Sequence, residues 1–118
     1  MQKRFSILSF KYALEGFWAA LKEEPNLKFH LLAGLVVILI SFYLKISRQD
    51  WIDILILVGL VISVELTNTS VEAVVDAFTD KEHPRAKLAK DISAAAVLIT
   101  SLTAAILGIL IFLPYLSY

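Results

Sequence analysis

An all-α integral membrane fold, one domain over 1–118 with an N-terminal amphipathic surface helix and three transmembrane helices, is predicted by three features of the sequence. Apolar residues make up 58% of the 118 positions, and the mean hydropathy of +0.76 is well above that of a soluble domain. Long apolar stretches recur on the scale of a bilayer crossing. Basic residues collect in alternate connections, as they do in a chain threaded through a membrane.

The surface helix is assigned to 1–25. Between Phe5 and Leu21, the residues Phe10, Leu14, Phe17, Trp18 and Leu21 form one stripe, with Ser9, Lys11, Glu15 and Lys22 mostly elsewhere. That is the pattern of a helix lying in the interface. Lys11 and Glu15 also interrupt the continuous apolar core that a cleaved leader needs. Pro25 ends or bends this helix.

Span 1 is assigned to 29–46, around "FHLLAGLVVILISFYL". Its apolar run is short against the roughly 20 residues a bilayer asks for, and Lys28 and Lys45 extend it by snorkelling. Span 2, 51–76, starts at the interface aromatic Trp51, but its clean apolar run covers only Ile54 to Val64, so it continues into a polar stretch. A loop follows over 79–91. Span 3, 92–116, carries no charge and ends in "FLPYLSY", whose Tyr115 and Tyr118 read as an aromatic belt. Lys3, Arg4, Lys11, Lys22 and Lys28 precede span 1, and the 79–91 loop holds Lys81, Arg85, Lys87 and Lys90. The positive-inside bias puts both segments in the cytoplasm of a cell membrane.

Eleven basic residues balance eleven acidic ones, which gives no electrostatic case for a nucleic-acid partner. The absence of cysteine excludes a disulfide framework, a thiolate metal site and a cysteine nucleophile. Two histidines argue against a histidine-built metal site.

The informative stretch is "SVELTNTSVEAVVDAF", Ser63 to Phe78. At about 100° per residue, Glu65, Asn68, Glu72 and Asp76 stay within roughly 80° of one helical face. A carboxylate in the bilayer costs several kcal/mol on insertion scales, so such a stripe marks function by default. Asp76 and Glu72 also read as the solvated end of a helix, and Asn68 as an interhelical hydrogen-bonding residue. Thr67, Thr69 and Ser70 lack a base at helical spacing and read as back-bonded or cavity-lining hydroxyls.

Carboxylates one to two turns apart, joined by Glu24 of "KEEPN", suit Mg²⁺, which takes oxygen ligands and keeps waters and substrate phosphates. Glu65, set deeper, has the character of a base for an alcohol arriving through the bilayer. Lys87 and Lys90 in "AKLAKD" supply cations for phosphate. No G-x-x-x-x-G-K-[ST] occurs, so a phosphoryl-transfer site would be built from helix side chains. Three spans are too few to enclose two substrates, which points to an oligomer with sites at protomer boundaries. Small residues at Gly34, Gly59, Ser93–Ala96 and Ala104–Ala105 suit close helix packing.

"VELTNTSVEAVVD" followed by "EHPRAKLAKDISAAAVLI", with "EGFWAALKEEPNLKFH" upstream, resembles the prokaryotic diacylglycerol kinase family, small trimeric membrane kinases with three spans and an amphipathic N-terminal helix. The "EEPN…H" element, the "EHP" loop and the "FLPYL" ending are more similar to the Gram-positive-type branch, whose members phosphorylate undecaprenol. The resemblance implies that Glu65 is the catalytic base, with Asn68 arranging phosphate and base. It implies that Glu24 and Glu72 hold the Mg²⁺ bridging the ATP phosphates. Tyr12, Glu82, His83, Lys90 and Asp91 are implied at the nucleotide site. Two positions depart from the pattern: Phe5, with Arg4 adjacent, matches a nucleotide-proximal arginine, and Ala94 matches a serine near the lipid. The expected activity is an ATP- and Mg²⁺-dependent lipid kinase in a homotrimer, acting on undecaprenol or alternatively on diacylglycerol. A non-catalytic channel or assembly module is the reading from a different class.

Overall fold

The computed structural model describes residues 7–79 and 83–117. Four helices follow one another: α1 (Ile7–Glu23), α2 (Pro25–Leu44), α3 (Arg48–Phe78) and α4 (Pro84–Leu116). Three of them, α2, α3 and α4, are long and apolar enough to cross a membrane. α3 is the centre of the bundle: α4 packs along it most extensively, α2 less so, and α1 touches both α2 and α3.

Prolines set two of the boundaries. Pro25 and Pro84 both occupy the first turn of a helix, where the missing N–H costs nothing and the fixed φ favours helix. α2 therefore begins four residues before Phe29 and gains the length that the apolar run alone lacks. Most of 79–91, expected as a loop, is instead the start of α4. His83 is the N-cap of that helix, and its Nδ1 accepts from the Arg85 and Ala86 amides at 3.2 and 3.4 Å.

The α2–α3 corner closes on Lys45, which adopts the left-handed conformation at φ 52° and ψ 54°. Its N–H donates to Phe42 O, and that of Ile46 to Ser41 O, the pattern that terminates helices at a left-handed residue. Ser47 then caps α3 by accepting from the Asp50 amide at 3.1 Å. Tyr115, expected only as a belt aromatic, reaches this corner from α4: its hydroxyl donates to Asp50 Oδ2 and accepts from Ser47 N. Phe42 and Trp51 meet edge to face at 4.7 Å on the same side.

Little of the chain is buried within itself. Leu27, Ile54, Ile46 and Ala20 are the buried apolar residues among those described, while apolar side chains all along α2, α3 and α4 are exposed. In water so much exposed apolar surface would drive association, whereas in lipid it faces its own solvent. α2 and α3 come closest at Gly34, where a Cβ would lie 3.1 Å from Val58 Cγ1. This close approach places the start of α2 over the polar part of α3.

Candidate functional site

Burial along α3 grades the polar stripe. Glu65 is 1% exposed and Asn68 8%, Glu72 is half-buried and Asp76 is exposed. Around them the hydroxyls turn inward on the helix: Thr67 Oγ1 donates to Ser63 O at 2.9 Å and Thr69 Oγ1 to Glu65 O at 3.0 Å. They take no part in the side-chain network.

Within the stripe, Asn68 Nδ2 donates to Glu72 Oε1 at 3.3 Å, fixing the amide against the half-buried acid. Asn68 Oδ1 and Glu65 Oε1 are buried with no donor aimed at them. Buried acceptors of this kind are uncommon in native structures and mark places where a ligand, ion or water belongs.

Glu24 comes to the stripe from the α1–α2 corner. It is the N-cap residue of α2, yet its side chain makes no capping hydrogen bond. Partial desolvation, then the facing Glu72 carboxylate and more weakly Glu65, hold its carboxyl above the ordinary value. Two acids turned toward one another without a cation favour either protonation or a bound cation. Among the described residues, no three His, Asp or Glu side chains converge at metal-ligand spacing. The Glu24–Glu72 pair offers two carboxylates, which is compatible with Mg²⁺, since that ion needs only one or two when waters and phosphate oxygens complete its shell.

Sequence reasoning weighed His30 only as a metal ligand, at the start of span 1, and did not connect it to Glu65. Its Nε2 lies 3.0 Å from Glu65 Oε1, within ion-pair distance, while no hydrogen bond reaches Oε1. Phe29 packs against the imidazole edge to face at 5.5 Å. The signal that could have found His30 was its place in the second turn of a spanning helix, where an ionisable side chain calls for a partner.

Lys90 and Asp91 line a separate cleft of about 720 Å³ between the end of α3 and the start of α4, with Asp76 and Lys87 also in its wall. Lys90 Nζ pairs with Asp76 Oδ1 at 2.8 Å, and Lys87 Nζ with Asp91 Oδ2 at 2.6 Å. Tyr12 is exposed on α1. His83 serves the α4 cap, and Glu82 lies outside the described residues. The chain thus gathers Glu24, Glu65, Asn68 and Glu72 in one group and Lys90 with Asp91 in another. An apolar groove of about 320 Å³ runs between α2, α3 and α4, with His30 and Phe29 in its lining at one end of α2 and Ser101, Ala105 and Gly108 along α4.

The sequence profile of the prokaryotic diacylglycerol kinase family matches residues 11–112. Over 108 residues the chain is 43% identical to an undecaprenol kinase of Bacillus subtilis, covering 92% of this chain and 88% of that protein. A diacylglycerol kinase of Synechocystis is 34% identical over 109 residues, and the chain spans 62% of that protein's length. A diacylglycerol kinase of Escherichia coli is 33% identical over 95 residues, covering 80% of this chain and 78% of that one.

Proposed function

The chain belongs to the prokaryotic diacylglycerol kinase family, and on that premise we propose that it transfers the γ-phosphate of ATP to the hydroxyl of undecaprenol at the cytoplasmic face of the cell membrane. The observation that carries the reading is the buried Glu65 beside the Glu24–Glu72 pair. A base meets an alcohol in the membrane one to two turns from where two acids meet a nucleotide at the surface. Undecaprenol is favoured over diacylglycerol by the 43% identity to the Bacillus enzyme, against 33–37% to diacylglycerol kinases.

In this reading, Glu65 accepts the proton of the lipid hydroxyl as its oxygen attacks the γ-phosphorus. Its burial keeps competing water away. Glu24 and Glu72 hold Mg²⁺, which when bound neutralises charge on the phosphates. Asn68, fixed through its amide on Glu72, keeps Oδ1 available between the acids and the base. Lys90, with Asp91 alongside, faces the phosphates once its contact with Asp76 is exchanged for them, and Tyr12, Glu82 and His83 border the nucleotide. The apolar groove supports a lipid acceptor, because a hydrocarbon chain lying in it would end at His30, next to the carboxylate.

α1 rests on the membrane surface, where the exposed Ile7, Phe10, Leu14 and Trp18 meet lipid. The exposed faces of α2 and α4 are covered by lipid and by two further copies in a trimer, and the basic residues around 79–91 hold that end in the cytoplasm.

The test is transfer of labelled γ-phosphate from Mg²⁺-ATP to undecaprenol and to diacylglycerol, side by side, by the detergent-purified oligomer. Preferential labelling of undecaprenol is expected. Preference for diacylglycerol would keep the kinase and overturn the lipid, and labelling of neither by an intact oligomer would overturn the activity.

A further inference from the structure

A general base in a closed site must lose its proton before the next turnover. Glu65 has little direct exposure to water: its side chain is 2% exposed. Glu24 interacts with Glu65 electrostatically, but among the described residues the titratable side chain within ion-pair distance of it is His30, with Nε2 at 3.0 Å from Oε1 and a side-chain exposure of 19%. His30 is also the fifth residue beyond Pro25, the first residue of α2. At about 1.5 Å per residue it lies roughly 8 Å from that helix end, within reach of the aqueous boundary.

We propose that His30 relays the proton from Glu65 to solvent, acting through Glu65 as a positioning and proton-exit residue. The inference rests on the reading of Glu65 as the base. In the transfer step the lipid O–H bond breaks, its oxygen bonds to the γ-phosphorus, and the bond from that phosphorus to the bridging oxygen of ADP breaks. The proton passes to Glu65. Neutral His30 then accepts it at Nε2, and the resulting imidazolium releases a proton to water, returning both side chains to their starting charge. In the resting state the neutral ring carries its proton on Nδ1 and leaves Nε2 bare, and no hydrogen bond reaches Oε1, so that oxygen is free for the incoming hydroxyl until the proton has been taken.

Phosphorylation by wild type, His30→Gln, His30→Ala and Glu65→Gln distinguishes the possibilities. The expected result is a kcat lowered about tenfold or more in both His30 variants, with KM for nucleotide within about twofold of wild type, and recovery of His30→Ala on adding imidazole. Unchanged kcat in His30→Gln would overturn the relay while an inactive Glu65→Gln left the base standing. Turnover by Glu65→Gln would instead remove the base. A fall in kcat accompanied by raised KM for nucleotide and no imidazole rescue would mean a structural role only and would also overturn the relay.

A second measurement does not require any His30 variant to fold. ¹⁵N-histidine labelling gives signals from only two histidines, which His83→Gln assigns. The His30 ring shifts are expected to differ between wild type and Glu65→Gln. Identical shifts would break the link between the two residues.

Discussion

Gly34 holds α2 against α3 one turn beyond His30, so enlarging it tests whether the site depends on that close approach. A Cβ at this position would lie 3.1 Å from Val58 Cγ1. Val58 is β-branched on a helix and has one strongly preferred rotamer, so the helices, rather than the side chain, must give way. Alanine asks for a few tenths of an ångström and is expected to cost about 1 kcal/mol, the low end of overpacking. Leucine adds three further carbons in the same direction and separates the helices by about 1 Å or more, taking His30 Nε2 from 3.0 Å to beyond hydrogen-bonding reach of Glu65. Misplacement on that scale costs about 10²-fold in rate. The assay is kcat for lipid phosphorylation by Gly34→Leu, alone and with Val58→Ala to relieve the clash. The single variant is expected to fall about 10²-fold and the double to recover most of it. Wild-type turnover in Gly34→Leu would show that the α2–α3 approach does not set the catalytic geometry.

Glu72→Gln is expected to raise the Mg²⁺ concentration needed for half-maximal activity, read from a metal titration at fixed ATP, and unchanged metal dependence would take Glu72 out of the metal set. The raised pKa of Glu24 makes the metal-free protein bind more protons folded than unfolded. Its contribution to stability is therefore present below the ordinary carboxylate pKa and lost as pH rises through the higher folded value. Thermal unfolding in detergent without metal should show that loss above about pH 4.5, and Glu24→Gln should flatten it. Tyr115→Phe removes the hydroxyl joining α4 to Asp50 and Ser47 and is expected to lower stability by about 1 kcal/mol without changing KM for ATP. A large change in that KM would mean that this corner is coupled to the nucleotide site.

The helices and the acidic stripe were legible because membrane solvent imposes length and hydropathy so strongly. Glu65 stood out against eleven uncharged predecessors from Ile54 to Val64, and α3 does bury it. Pro25 and Pro84 were harder, because a proline beside a polar stretch reads equally as the end of one helix or the start of the next, and capping by His83 depends on local geometry. Glu24 was legible as a carboxylate to join Glu72, but the means was not: the α1–α2 corner has to fold back on α3 to bring the two acids together. The link of His30 to Glu65 was missed for the same reason: its partner lies 35 positions away in sequence and is reached only because Gly34 lets the helices close. Spacing along one helix reports what shares a face, but not what an adjacent helix brings to it.

The central claim is that Glu65 is the base of a lipid kinase, and its most direct test is turnover and nucleotide binding measured on the same Glu65→Gln preparation. Glutamine keeps the shape and removes the proton acceptor. The account predicts that phosphorylation of undecaprenol falls by about 10²–10⁴-fold while Mg²⁺-ATP binds within a few-fold of wild type. Turnover near wild type would contradict the assignment outright.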